Sequence, residues 1–333
     1  METSWEGILG QEEAVGRLRR MLQEKRLPHA LLFYGPEGVG KRRAAQALAA
    51  PLLCENPVNG TACGHCAGCR ALRDDTHPDF YLVEPESSGR SAKSIKIEQI
   101  RELEREIGRV PKLAKRRVVL MEAAERMNEA AENSLLKTLE EPSGDVVFIL
   151  VTSARQALLD TIVSRCLLLP FAPLDDTVIL RLMKENGISD SEAQGIAPLA
   201  SGSIGRALRL AGEGALSLRR DALDMLKRLP SMPASEVWTE GERLGKLPAE
   251  ELLDWVRYMR LLLRDMLALY SGAAVSQKDL AEELGGLLPK FSEERIFYIM
   301  DLAKELEKRL TGSNANARLQ AEAFLLRANN QNR

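Results

Sequence analysis

The chain has 333 residues, 45% hydrophobic and 28% charged, with 46 Lys and Arg against 48 Asp and Glu for a formal net charge of −2. Such a length suggests about two or three domains, and the near-neutral balance excludes a uniformly polycationic nucleic-acid binder, so any phosphate-tracking surface must be local. The opening METSWEGILGQEE has neither the basic start nor the apolar core of a signal peptide, and the most apolar stretch, Leu252 to Tyr270, is broken by Asp254, Arg257, Arg260, Arg264 and Asp265; these features predict no signal peptide and exclude that stretch as a membrane span, and a cytoplasmic protein is the expectation.

In chain order, Gln11 to Lys25 carries Val15, Leu18, Met21 and Leu22 at helical spacing. A short apolar run, Ala30 to Tyr34, predicts a buried strand. It runs into GPEGVGKR, Gly35 to Arg42, and an Ala-rich segment from Arg43 to Ala50. Strand, Gly-rich turn and helix start are the layout of a phosphate-binding loop. In the pattern G-x-x-x-x-G-K (Gly35, Gly40, Lys41, with Gly38 between), the glycines let backbone N–H groups converge on phosphate oxygens and the lysine reaches the outer phosphates. The helix N-terminus adds partial positive charge. The next residue should be Ser or Thr, whose hydroxyl ligates magnesium; here it is Arg42, which cannot ligate a cation.

Cys54, Cys63, Cys66 and Cys69 follow within sixteen residues, in a turn-rich stretch containing Asn56, Pro57, Asn59 and Gly60; the fifth cysteine, Cys166, stands alone. In a chain without export signals, clustered thiols favour a metal over disulfides. The spacing suits a closed, structural four-thiolate zinc site. An iron–sulfur cluster, which also uses C-x2-C-x2-C, is the alternative, and His65 reads as a bystander.

Phe80 to Val83 predicts a second strand, residues 85–94 a Ser- and Gly-rich loop, and Ile97 to about Arg109 a polar helix stopped by Pro111. Val118 to Met121 predicts a third strand, entered from Lys115-Arg116-Arg117 and followed by Glu122 and Ala123. A phosphate-loop ATPase needs an acidic pair there, one carboxylate for the magnesium shell and one for the attacking water. Glu122 can serve the first role imperfectly, or be a solvated strand end; Ala123 cannot serve the second. Arg42 and Ala123 together imply lost hydrolysis. Residues 90–117 hold ten Lys and Arg against four Glu. That local excess can follow phosphates or be a solvated face with relieved i,i+4 repulsion.

Asn128 to Glu141 predicts a helix ended by Pro142, Val146 to Val151 a fourth strand, Leu158 to Val163 a short helix and Cys166 to Leu169 a fifth strand. Apolar strands alternating with helices imply a parallel sheet covered on both faces. Arg165, just before the last strand, reads either as a surface arginine or as a finger reaching a neighbouring subunit's nucleotide. After Pro173 the pattern is helical, with 174–212 a small helical region and long helices to about Ala328; no solenoid repeat is present.

Together, Gly7-Ile8-Leu9-Gly10-Gln11, Arg26-Leu27-Pro28-His29-Ala30, the phosphate loop, the four-cysteine insert, His77-Pro78-Asp79, Asn133 to Pro142 (NSLLKTLEEP) and Ser164-Arg165-Cys166 resemble the bacterial clamp-loader subunits of the AAA+ class. Asn314-Ala315-Asn316-Ala317-Arg318-Leu319 resembles the ending of their collar domain. The resemblance implies a RecA-like AAA+ α/β domain over residues 1–172 with a zinc module at 54–69, a helical lid at 173–212 and an all-α collar at 213–333. Within the family, a motor keeps Ser or Thr after the loop lysine and an Asp-Glu pair. Lys41-Arg42 and Glu122-Ala123 instead resemble the non-hydrolysing branch, as does a length that allows one collar and no extension. Gly202-Ser203-Ile204-Gly205 places Arg206 one residue later than the family's sensor-two arginine, and Thr152 falls at its sensor-one position.

Further implications of the resemblance are an outward-facing Arg165 acting in trans, structural zinc on the four cysteines, and ATP or ADP binding left open. The implied partners are gamma/tau motor and delta subunits, a sliding clamp and primed DNA within the DNA polymerase III holoenzyme, whose polymerisation chemistry belongs to other subunits. An active ATPase motor and a zinc-dependent nucleic-acid binder using residues 90–117 stand as the competing expectations.

Overall fold

The computed structural model describes residues 4–86, 93–142, 144–212, 215–312 and 316–329. The chain divides into two compact units, Met1–Ile179 with Gly202–Gly205, and Leu180–Ser201 with Arg206–Arg333.

The first unit is built on five strands: β1 (Ala30–Tyr34), β2 (Phe80–Val83), β3 (Arg117–Met121), β4 (Val146–Thr152) and β5 (Leu167–Pro170). They form one parallel sheet in the order β2-β3-β4-β1-β5. Its helices are α1 (Glu12–Gln23), α2 (Lys41–Leu53), α3 (Ala67–Arg73), α4 (Ile97–Ile107), α5 (Glu129–Glu140), α6 (Asp160–Val163) and the start of α7 (Asp176–Glu185). Alternation along the strands sorts the core into two layers. Leu31, Phe33, Val118, Leu120, Ile149 and Val151 pack with Leu18, Ala44, Ala47 and Leu48 of α1 and α2. Ala30, Leu32, Val119, Met121, Phe148 and Leu150 pack with Ile100, Leu103, Leu135 and Leu139 of α4 and α5. Residues buried on both faces account for the unbroken apolar runs in the sequence. β1 lies between β4 and β5, so the loop after it opens where the chain changes direction across the sheet, the usual ligand crevice of such sheets.

The boundaries differ from the sequence reading in instructive places. α2 runs three residues past Ala50, through Pro51, which stands in its last turns. α3 lies inside the cysteine stretch, where no helix was expected. α4 ends at Ile107, before Pro111 is reached. Of the expected loop at 85–94, Glu86 and Ser94 bridge each other, while residues 87–92 lie outside the described residues. β4 continues to Thr152, and α6 and β5 each begin later than expected.

The motif His77-Pro78-Asp79 anchors the base of β3. Asp79 is fully buried, and its carboxylate accepts from the backbone N–H groups of Lys112 (2.8 Å), Leu113 (2.7 Å) and Ala114 (2.8 Å). Arg117, also buried, donates to the carbonyls of Ile107 (2.7 Å) and Arg109. Burial alone would raise the Asp79 carboxyl, but the three N–H donors outweigh it and hold its pKa below the ordinary value. An amide at this position retains one acceptor and opposes the other donors. Asp79→Asn is therefore expected to cost about 2–3 kcal/mol. The stabilisation is fully present above the unfolded-state pKa and is lost as the pH falls through the lower folded value. Urea unfolding at pH 7 and pH 3 checks both parts, since the penalty should shrink at the lower pH.

The second unit is helical in its described residues. The rest of α7 leads to α8 (Asp190–Ile196), α9 (Ile204–Gly212), α10 (Ala215–Arg228), α11 (Ala234–Gly245), α12 (Ala249–Tyr270), α13 (Ala281–Leu287), α14 (Glu293–Gly312) and α15 (Ala317–Asn329). Trp255 and Tyr258 of α12 are fully buried, Trp255 donating to Asp221 at 2.8 Å and packing edge-on to Phe324. Gly241 and Gly245 let α11 lie directly on α15, because a Cβ at either would collide with Glu322 or Arg318. Among the described residues no helix is long and apolar enough to cross a membrane. Asn314 and Ala315 of the expected C-terminal motif lie outside the described residues.

Candidate functional site

The phosphate-type loop is present with its expected backbone. Gly35, Gly38 and Gly40 all have positive φ, and Gly40 caps α2. A side chain at Gly35 would strike the Phe171 carbonyl, and one at Gly38 the Ser203 hydroxyl, so both positions demand glycine. Gln11 ties the loop to the end of β5, donating to Val39 O (3.3 Å) and Ala172 O (2.7 Å) and accepting from Ala172 N (3.2 Å). The Gly202–Gly205 segment also seats on the loop, with Gly205 N donating to Gly38 O at 3.1 Å.

Both cations of the loop are paired within the chain, Lys41 buried and Arg42 exposed. Lys41 is 6% exposed and donates to Gly35 O (2.6 Å) and Pro36 O. Burial lowers its pKa, and Glu125 and Glu37 oppose that shift. Arg42 Nη1 lies 2.8 Å from a carboxylate oxygen of Glu84 and 2.8 Å from one of Glu122. Burial raises the Glu122 carboxyl, with Arg42 opposing and Glu84 adding to the rise. A guanidinium thus bridges two acids beside the loop lysine, a location where a phosphate-loop ATPase holds magnesium.

The pairing of Val83 with Met121 in β2 and β3 sets Glu84 and Glu122 side by side. Sequence reasoning identified only Glu122, although a glutamate directly following an apolar strand was visible at both positions. It also missed Glu125, which accepts from Ser153 N (3.2 Å) and Ser153 Oγ (2.5 Å) at the end of β4. Burial alone would raise the Glu125 carboxyl, but the donors at Ser153 and Thr152 hold it low. Thr152 is fully buried, its hydroxyl accepting from Ala154 N at 3.1 Å. Ala123 has φ of 47°, an unfavourable left-handed conformation for alanine, and offers no polar group.

Cys54, Cys63, Cys66 and Cys69 come together. Their sulfurs all lie within 4.8 Å of one another, with Cys54–Cys66 and Cys63–Cys69 each at 3.9 Å. A tetrahedral ion with bonds of about 2.3 Å separates its sulfurs by about 3.8 Å, so the set fits a single ion. A multi-iron cluster would hold the sulfurs farther apart. Cys54 closes α2 and Cys66 caps α3. Backbone N–H groups of Cys63, Cys66 and Cys69 donate to Cys54, Cys63 and Cys66 sulfurs at 3.3, 3.4 and 3.3 Å, which favours thiolates. N–H donors from His65 and Cys66 hold Cys63 down to about 6, whereas burial raises Cys54 and Cys69. His65 is exposed and directs its ring to Cys63 O at 2.8 Å, apart from the sulfurs. Cys166 is a buried core thiol that burial pushes up to about 11, which makes it unreactive.

Arg165, expected to face outward, is partly exposed and anchored within the chain. Its side chain is 34% exposed and paired with the Glu140 carboxylate, and Nη1 donates to Thr161 O at 2.9 Å. Three motifs that are separate in sequence meet here, because His29 Nε2 lies 2.9 Å from Leu139 O at the end of α5.

Arg206 belongs to the second unit, where it lies 3.6 Å from Asp254. The basic segment is less cationic outside than its composition suggested. Arg117 is buried, Arg116 pairs with Asp145 at 3.3 Å and Arg109 with Glu106 at 2.8 Å. Arg101 and Arg105 are exposed, and Arg90 lies outside the described residues.

A family model described as "DNA polymerase III, delta subunit" matches residues 10–175. The chain is 34% identical over 308 residues to DNA polymerase III subunit delta' of Pseudomonas aeruginosa, covering 90% of each protein. It is 30% identical over 302 residues to subunit delta' of Escherichia coli, covering 90% of this chain and 88% of that one. The tau subunit of Escherichia coli is 32% identical over 254 residues, 76% of this chain but 37% of tau. With the delta' likeness running through both units, and the motor's hydroxyl and acidic pair replaced, the chain belongs to the delta' subunit family of DNA polymerase III.

Proposed function

We propose that this chain is a non-hydrolysing stator of the bacterial replicative clamp loader. The observation that carries the reading is Arg42 held between Glu84 and Glu122. The guanidinium brings one positive charge where a divalent cation would bring two, and it offers no coordination site for phosphate and no metal-bound water. With Ala123 in place of the second acid, the loop keeps the shape of the strand-to-helix turn without the means of hydrolysis. The chain works in the cytoplasm beside gamma/tau motor and delta subunits, helping ATP-driven opening of a sliding clamp and its placement on primed DNA. Its residues 1–172 form the AAA+ domain, 173–212 the lid and 213–333 the collar that assembles into the ring. The four cysteines hold structural zinc. Arg165 completes the ATP site of the adjacent motor. Gly35, Gly38, Gly40, Lys41, Arg42 and Glu122 form the degenerate nucleotide cradle, which binds ATP or ADP only after these internal contacts yield.

The purified chain, with magnesium and primed DNA, is expected to show no steady ATP turnover. Sustained turnover in the range of ordinary ATPases, about 1 per second or more, would overturn the stator reading in favour of an active motor. Arg42→Ser, which removes the guanidinium and restores a hydroxyl, is expected to tighten binding of magnesium–nucleotide by roughly tenfold or more, since about 1.4 kcal/mol suffices for that change. Hydrolysis should remain absent because Ala123 is unchanged. Calorimetric titration with and without magnesium checks the affinity.

A further inference from the structure

Glu140 of the motif NSLLKTLEEP is, among the described residues, the carboxylate paired with Arg165. A free arginine samples many rotamers, and a finger must present its fork in one orientation. Here two edges of the guanidinium are fixed from different elements. Nη1 donates to Thr161 O of α6 at 2.9 Å, and Nη2 donates to the Glu140 carboxylate at the end of α5. The end of α5 that carries Glu140 is tied to the sheet. His29 Nε2 meets Leu139 O at 2.9 Å, and His29 O accepts from Phe148 N of β4 at 2.7 Å. The order of dependence runs from the sheet to His29, from His29 to the end of α5, and from Glu140 to Arg165. The rest of the fork stays open, the side chain being 34% exposed.

We infer that Glu140 is a positioning residue that aims Arg165 at the terminal phosphate of ATP bound by the adjoining motor subunit. The inference rests on the reading of Arg165 as a trans-acting finger. In that hydrolysis water forms the new bond to the γ-phosphorus, the bond to the β–γ bridging oxygen breaks, and the water proton leaves to the motor's own base. Arg165 neutralises charge on the phosphoryl oxygens, and Glu140 touches neither substrate nor water. Because the pair is half-exposed it contributes little to folding, so its effect should fall on turnover.

The test uses the reconstituted clamp loader with clamp and primed DNA, carrying Glu140→Ala, Glu140→Gln, Arg165→Ala or the Glu140→Ala/Arg165→Ala pair in this chain. Arg165-dependent turnover is the difference between the wild-type and Arg165→Ala complexes. Glu140→Ala is expected to lower its kcat roughly 10–100-fold, with KM for ATP changed by no more than about twofold, since ground-state binding is untouched. Glu140→Gln should fall between, because its amide oxygen still accepts from Nη2. The double variant should be no slower than Arg165→Ala alone, as two residues acting as one unit require, and the melting temperature of each variant chain should match wild type. Wild-type or raised turnover in Glu140→Ala, with Arg165→Ala still impaired, would overturn the positioning role and leave the finger standing. An additive loss in the double variant would equally show that Glu140 acts apart from Arg165. Unchanged turnover in Arg165→Ala would remove the finger reading and this inference together.

Discussion

Arg165→Ala is expected to slow hydrolysis at the motor site facing this chain by on the order of a thousandfold, the lower end of what an arginine finger supplies. In an assembly with several motor sites, the others continue, so the complex as a whole loses the share of turnover that this site provides. The size of the effect follows from charge. Phosphoryl transfer spreads negative charge over the γ-phosphate oxygens, and a desolvated guanidinium offers paired donors that an ammonium lacks. Arg165→Lys should therefore recover little of the loss. Neither variant should unfold the chain, because the pair with Glu140 is half-exposed and such pairs contribute about 0–1 kcal/mol. Pre-steady-state phosphate release from the assembled complex, alongside thermal unfolding of the isolated chain, checks both parts. Turnover equal to wild type would make Arg165 an ordinary surface arginine tethered to Glu140.

Features set by local sequence were legible in advance. β1 and its loop declared themselves through five apolar residues followed by glycines at fixed spacing, and those glycines have the positive φ that the pattern requires. The cysteine cluster was legible for the same reason, since its four thiols fall within sixteen residues, three of them at C-x2-C-x2-C spacing. What escaped depended on partners far away in sequence. Arg42 was expected to offer charge to a phosphate without ligating a cation; its pairing escaped because Glu84 lies beyond the cysteine insert and reaches Glu122 through strand register. Arg165 was expected to face outward; the carboxylate that holds it, Glu140, lies 25 residues earlier at the end of α5. Arg117 read as part of a surface charge run, yet it is buried because carbonyls of Ile107 and Arg109 accept from it. α3 was hidden because Gly68 and the cysteines spoil a helical pattern, although Gly68 is needed where a side chain would strike Leu53 O.

Stripping the metal from the four-cysteine site is expected to destabilise the first unit well beyond the module itself. Leu72 of α3 is 1% exposed and belongs to the same core layer as Leu53, Leu48 and Leu31, so α3 is both a metal-held element and a part of the core. Metal analysis of protein purified without added metal should find one ion per chain, with zinc as the ion. At a free metal concentration a thousandfold above the dissociation constant, binding adds about 4 kcal/mol of stability. For a unit of this size that corresponds to a melting temperature lower by roughly 8–16 °C after chelation. Because each ligand must lose its proton to bind, acid should release the ion with the same loss of stability. Cys66→Ser should reproduce the chelated state at neutral pH, since it removes both a ligand and the sulfur that accepts from Cys69 N. Hydrogen exchange gives the spatial readout: protection should fall first across residues 54–79 and be retained in β1, β3 and β4. A chain that carries no metal, and whose melting temperature is unchanged by a strong chelator, would mean that the four thiols pack as a reduced cluster and that backbone donors alone hold α3.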